Sequence, residues 1–114
     1  MTNQERFPGK VQPSHGQAIK YTAYTRKFSE DAAAPVLYIT ATCSYPVGPY
    51  EIFFQGEGGF TWTLMEKAPT IFYNLVTYHI ACTTTGQPTL DIPDTITIKD
   101  GYGSHEVPVD RSGG

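Results

Sequence analysis

Residues 50–66 read YEIFFQGEGGFTWTLME, and this stretch carries the strongest structural pattern in the chain. The run Ile-Phe-Phe within residues 50–55 places apolar side chains on both faces of an extended backbone, as in a strand inside a fold. In residues 60–66, Phe, Trp and Leu alternate with Thr, so the large side chains share one face. The glycine-rich residues 56–59 separate the two runs. The stretch therefore predicts an antiparallel hairpin with strands at residues 50–55 and 60–66.

The same alternation predicts five more strands. They cover residues 18–28, 36–45, 70–84, 95–99 and 105–109. A turn is predicted at residues 46–49, where two prolines flank Val and Gly, and a bulge near Asn74, where the apolar phase changes. About seven strands with frequent turn signals and no amphipathic helix favour an all-β fold. We expect an antiparallel β-sandwich with immunoglobulin-like architecture, with a small β-barrel as the alternative.

The chain of 114 residues has the length of a single domain and is long enough to bury a core. Residues 1–16 contain prolines and glycines with little apolar periodicity, and we predict a flexible N-terminal arm there. Residues 17–110 form the predicted β-sandwich domain. Residues 111–114 form a predicted disordered tail.

Charge and hydropathy exclude several functional classes. Eight Lys and Arg stand against eleven Asp and Glu, the formal net charge is −3, and the basic residues form no stripe. The electrostatic footprint of a nucleic-acid-binding protein is therefore missing. No apolar run approaches the roughly 18 residues that suggest a transmembrane helix. Since the first residues carry no signal-peptide pattern, we expect a soluble cytoplasmic protein, with secretion independent of an N-terminal signal as the alternative.

Two cysteines, Cys43 and Cys82, fall on the apolar side of their predicted strands. The alternation therefore predicts that both sulfurs point into one core. Two interpretations stay open: a disulfide between them, or two buried thiols that pack as small hydrophobic groups. The order Cys43, Trp62, Cys82 is that of an immunoglobulin domain, but the spacings of 19 and 20 residues differ from the immunoglobulin pattern.

The histidines form no catalytic or metal-binding pattern. His15, His79 and His105 lack the short ligand spacing of a zinc site, so we predict no metal and no cofactor. Ser104 and Glu106 flank His105, but neighbours on an extended strand point to the opposite face. A small hydrolytic enzyme that uses His105 or His79 is an alternative. It requires a carboxylate or thiol within hydrogen-bond reach of one imidazole in a pocket.

Aromatic residues are the strongest functional signal, because 13% of the chain is Phe, Trp or Tyr and eight residues are Tyr. Rings that carry a hydroxyl suit contacts with proteins and with sugars. The tyrosines expected at a partner or ligand surface are Tyr24, Tyr38, Tyr50, Tyr73 and Tyr102. We expect a non-enzymatic interaction module that binds a partner protein or forms a homo-oligomer through strand edges and this aromatic surface. A module that binds carbohydrate or lipid is the alternative.

Overall fold

The computed structural model describes residues 9–27, 34–71, 73–86, 89 and 91–111, and this part of the chain is built from β-strands. The strands are β1 (Val11–Pro13), β2 (Gln17–Arg26), β3 (Val36–Gly48), β4 (Glu51–Gly58), β5 (Thr61–Lys67), β6 (Tyr73–Thr84), β7 (Thr95–Asp100) and β8 (Gly103–Asp110). The all-β prediction is confirmed. In the described ranges no helix has the length and apolar character needed to cross a membrane.

All eight strands belong to one sheet, which curls into a half-barrel. The order along the sheet is β1, β5, β7, β8, β2, β3 and β6, and β4 pairs with β5 as well. The pairs β5–β7 and β2–β8 are parallel, and the other pairs are antiparallel. Because β8 pairs with β7 on one side and with β2 on the other, the strands form one continuous sheet. Strands β4 and β6 contact each other, so the curled sheet is nearer to the small-barrel alternative than to two separate sheets.

The predicted hairpin at residues 50–66 and the predicted bulge near Asn74 are both confirmed. β4 and β5 pair in antiparallel register along their lengths. Between the pairs Tyr45–Thr77 and Val47–Asn74, β6 contains one residue more than β3, as a bulge requires. The predicted turn at residues 46–49 is wrong, because β3 continues to Gly48. Pro46 has no N–H to donate, and it lies at this register shift, where the regular ladder is interrupted.

The core lies on the inner side of the curl. Its main cluster contains the buried side chains of Leu37, Ile39, Ile96 and Ile98, against which Trp62 packs partly buried. A second cluster contains Cys43, Tyr45, Tyr50 and Ala68, and a third contains Ala41, Leu64 and Ala81. Small residues in the third cluster leave little depth between β3, β5 and β6.

The described part of the predicted arm is packed on the sheet. β1 pairs with the end of β5, from Val11 opposite Lys67 to Pro13 opposite Met65. Ser14 is completely buried, and its N–H donates to the Leu64 carbonyl at 2.8 Å. Residues 11–14 thus differ from the flexible arm predicted for residues 1–16. Residues 1–8, and residues 112–114 of the predicted tail, lie outside the described part of the chain.

The pairing of β6 contradicts the prediction that both sulfurs point into the core. Cys43 is completely buried, whereas Cys82 is exposed, and both thiols are free. Cys43 lies opposite His79 and Cys82 lies opposite Thr40, so the two side chains are on opposite faces of the sheet. The physical reason is the register: Ala81 lies opposite Ala41 on the inner face, which turns the even positions of β6 outward.

Candidate functional site

The outer face of β6, formed here by Tyr78, Ile80 and Cys82, exposes large apolar side chains. Tyr78 and Ile80 are 63% and 65% exposed, and Cys82 is exposed beside them. Their cross-strand neighbours on β3 are the small polar residues Ser44, Thr42 and Thr40. These neighbours are too short to cover a Tyr or an Ile, so the apolar strip is open to contact from outside the sheet.

A pair of stacked tyrosines extends this outer surface across β2 and β3. Tyr24 and Tyr38 lie opposite each other, with ring centroids 5.3 Å apart and planes 10° apart. The Arg26 guanidinium carbon lies 5.9 Å from the Tyr24 ring centroid. Next to this pair, the hydroxyls of Thr22 and Thr40 are hydrogen-bonded to each other. The surface therefore combines rings and short hydroxyl side chains with two cations, Lys20 opposite Thr42 and Arg26 beside Tyr24.

An opening between β2 and β8 forms a cavity of about 580 Å³. In the described chain the two strands pair only where Ala23 lies opposite Val109 and Tyr24 opposite Asp110. The residue before this pairing on β8 is Pro108, which has no N–H for a ladder. On β2, Ala18 has a positive φ of 53°, and the register with β3 shifts between Gln17 and Lys20. Both irregularities let the strands diverge, and we call the space between them the β2–β8 cavity.

Asp100 is the polar centre of the β2–β8 cavity. Its side chain is 1% exposed, and three groups surround its carboxylate. The Tyr21 hydroxyl donates to Oδ2 at 2.6 Å, and the Tyr102 N–H donates to Oδ1 at 2.8 Å. His105 Nε2 lies 3.0 Å from Oδ2, close enough for an ion pair, although the angle at the nitrogen is not that of a hydrogen bond. Burial, together with the bond to the Asp100 carboxylate, raises the pKa of the Tyr21 phenol above its ordinary value.

A second polar network attaches the segment after β1 to the sheet through Glu66. This carboxylate is buried and accepts hydrogen bonds from the Gln12 amide at 2.7 Å, the His15 N–H at 2.8 Å and the Tyr45 hydroxyl at 2.8 Å. Three donors offset the cost of taking the carboxylate out of water. The Ser14 hydroxyl bonds to the Tyr45 hydroxyl at 2.7 Å. A cavity of about 210 Å³ lies next to this network.

Burial also affects the groups beside the Glu66 network. It raises the pKa of the Tyr45 phenol and of the Cys43 thiol above their ordinary values. Cys43 is therefore held as a thiol, which is a poor nucleophile because the thiolate is the reactive form.

The structure brings two of the five predicted surface tyrosines together and separates the others. Tyr24 and Tyr38 form the stacked pair, whereas Tyr50 is buried against Tyr45, with ring centroids 4.3 Å apart. Tyr102 is exposed on the turn before β8, and its hydroxyl donates to the carbonyls of His15 and Gly16. Tyr73 lies at the start of β6, but its side chain is outside the described part of the structure.

Asp100 and Glu66 were not among the predicted site residues, although the sequence contains a signal for each. On β7, Ile96, Ile98 and Asp100 occupy alternate positions and are all buried. On β5, Leu64 and Glu66 share an inward face in the same way. A carboxylate that continues a buried apolar alternation indicates a charge held inside the fold.

The histidines are separated by the fold. His79 packs edge-on against Tyr45, and His105 lies beside Asp100. Among the described residues, no three His, Cys, Asp or Glu side chains form a group that could hold a metal ion. Comparison of the chain with protein-family models, curated proteins and solved structures finds no match.

Proposed function

We propose that the chain is an interaction module that binds a partner protein, in the first place a second copy of itself, through the outer face of β6. The observation that carries this proposal is the inverted polarity of the strand. Tyr78, Ile80 and Cys82 occupy the apolar positions of its alternation, and all three face outward. Contiguous exposed apolar surface marks interaction sites in folded proteins.

The inner side of β6 is already filled at the level of Ala81. Ala81 packs there with Ala41 and Leu64, and inserting a side chain as large as Tyr into such packed core costs stability. A partner that covers the outer face would bury Tyr78 and Ile80, each worth about 1.5–3 kcal/mol on complete burial. The free energy gained by burying both side chains is a substantial part of the free energy of a specific contact.

The stacked pair Tyr24–Tyr38 and the threonines between it and β6 supply the rest of the surface. Tyrosine is enriched at interfaces, and short hydroxyl side chains adapt to a partner at low entropic cost. We assign the contact to the outer face rather than to the edge of β6, because β4 approaches β6.

The test is the oligomeric state, measured by size-exclusion chromatography with light scattering over a concentration series. Wild-type protein is expected to associate, and Ile80→Thr is expected to raise the dissociation constant at least about tenfold, since it removes apolar area and keeps strand propensity. Ile71→Thr is the matched control, because Ile71 is 61% exposed and precedes the strand. The proposal is contradicted if the wild-type protein is monomeric and if, in a pull-down, wild-type protein and Ile80→Thr capture the same proteins.

A small hydrolytic enzyme is the second candidate, and the Asp100–His105 contact favours it. A carboxylate 3.0 Å from an imidazole at a cavity meets the requirement stated for this alternative. His105 would act as the general base on a water molecule, because the adjacent Ser104 faces the other side of β8. Turnover of p-nitrophenyl acetate that His105→Ala abolishes and His79→Ala retains would support it. Equal rates in both variants would refute it.

The carbohydrate alternative has less support from the ring geometry. Tyr24 and Tyr38 stack on each other, so each ring covers one face that would otherwise meet a sugar. Trp62 is partly buried against the main core cluster. For the finer fold description we propose a small open barrel, supported by the contact between β4 and β6, in preference to an immunoglobulin-like sandwich.

A further inference from the structure

The β2–β8 cavity has the size and wall composition of a site for a small molecule. Its volume of about 580 Å³ falls in the range of ligand pockets, roughly 300–1,000 Å³. Ile19, Val107 and Pro108 contribute apolar wall, and the rings of Tyr21 and Tyr102 line it as well. A ligand held here therefore has an apolar or aromatic body.

Most polar side chains of the cavity present hydrogen-bond acceptors, and the Gln17 amide carries both donors and an acceptor. The Tyr21 hydroxyl uses its proton on Asp100, and the Tyr102 hydroxyl uses its proton on the carbonyls of His15 and Gly16. Each phenol oxygen is left with lone pairs only, and carboxylates are acceptors by nature. These acceptors suit a ligand that donates hydrogen bonds.

The lining contains two carboxylates. Asp100 is almost completely buried, Glu106 lies at the rim, and neither Lys nor Arg is among the described lining residues. A bound anion would face the buried Asp100 carboxylate and the solvated Glu106 carboxylate at the rim. A bound cation gains from the Asp100 charge and, to a smaller extent, from the solvated Glu106 carboxylate. We propose that the β2–β8 cavity binds a small organic cation, an ammonium group on an apolar or aromatic body.

Three probes of one shape and different charge test the proposal on the full chain. They are phenethylamine, phenethyl alcohol and phenylpropionate, titrated into labelled protein and followed by the amide NMR signals of Ile19 and Val107. Phenethylamine is expected to bind saturably and at least about tenfold more tightly than phenylpropionate, because a charge-assisted hydrogen bond replaces a repulsion.

Two substitutions distinguish the contribution of the Tyr21 phenol oxygen from that of the Glu106 charge. Tyr21→Phe keeps the ring and removes the phenol oxygen, and it is expected to weaken phenethylamine binding about tenfold. Glu106→Gln is expected to weaken it about two- to threefold, since the carboxylate is solvated at the rim. Glu51→Gln is the matched control and leaves binding unchanged, because Glu51 lies on β4 and lines a different cavity.

The outcomes are decisive in either direction. Selective, saturable binding of the amine at Ile19 and Val107 that Tyr21→Phe weakens supports the proposal. Equal or tighter binding of phenylpropionate, amine shifts that map elsewhere, or no saturable shift with any probe overturns it. Because the amide signals of Ile19 and Val107 report on β2 and β8 and not on the outer face of β6, failure of this test and failure of the self-association test are distinguishable.

Discussion

Replacing Gly16 by Ala tests how tightly the segment after β1 packs against the sheet. A Cβ at this position would lie 2.7 Å from Cys43 Sγ, 3.0 Å from Cys43 Cβ and 3.2 Å from Tyr45 Cζ. Both neighbours are buried and fixed by the second core cluster, so they cannot move aside freely. The backbone on each side is held as well, because Tyr102 donates to the Gly16 carbonyl and the Gly16 N–H donates to the Ser14 hydroxyl.

The expected cost of Gly16→Ala is about 2 kcal/mol, the middle of the range for inserting a methyl group into a packed interior. For a chain of 114 residues, an unfolding entropy of about 2.1 cal/mol/K per residue amounts to about 0.24 kcal/mol/K. The melting temperature should therefore fall by about 8 °C. Differential scanning calorimetry of the wild-type and variant proteins measures the shift directly.

Gly56→Ala is the matched control, since a Cβ there meets only the Trp62 ring, at 3.7 and 3.8 Å. It should leave the melting temperature unchanged or raise it slightly, because Ala restricts the unfolded chain. In a Cys43→Ala background, which removes the sulfur, the cost of Gly16→Ala should drop by about half. A Gly16→Ala protein that melts within about 2 °C of wild type, or an undiminished cost in the Cys43→Ala background, would refute the close packing described here.

Three further predictions concern the polar interior. Tyr45→Phe removes the hydroxyl between Ser14 and Glu66 and should lower the free energy of unfolding by about 1–3 kcal/mol, measured by urea titration, whereas the exposed Tyr78→Phe should not. The pKa values of Tyr21 and Tyr45 are raised in the folded state, so their stabilisation is complete below the ordinary pKa of 10.0 and is lost as pH rises above it. Ultraviolet titration should therefore show fewer than eight tyrosines ionising until alkaline unfolding, and ionisation of all eight in the folded protein would contradict the burial. Gly101→Ala places a Cβ 2.5 Å from His15 Nε2, so the imidazole NMR signals of His15 should shift, and unchanged signals would be inconsistent with this contact.

The candidate sites were less predictable than the strands. Tyr24 and Tyr38 were expected at a surface and do form the stacked pair there. Tyr50 was expected there too, but it packs on Tyr45, because the chain after Gly48 turns it into the second core cluster. Asp100 continues the buried alternation of β7, which the sequence shows. Its contact with Tyr21, however, joins residues 79 positions apart, and its contact with His105 crosses the turn between β7 and β8. Only the curled sheet brings such groups together.

Local alternation of apolar and polar residues was sufficient to predict every described strand except β1, the hairpin at residues 50–66 and the bulge near Asn74. Each of these depends on neighbouring residues and on the period of two. The direction in which β6 faces depends on its register with β3, in which Ala81 meets Ala41 and turns Tyr78 and Ile80 outward. The opening between β2 and β8 depends on a parallel pairing between strands distant in sequence, which ends beside Pro108. A period of two defines two faces of a strand without saying which is inside, and that choice belongs to the tertiary structure.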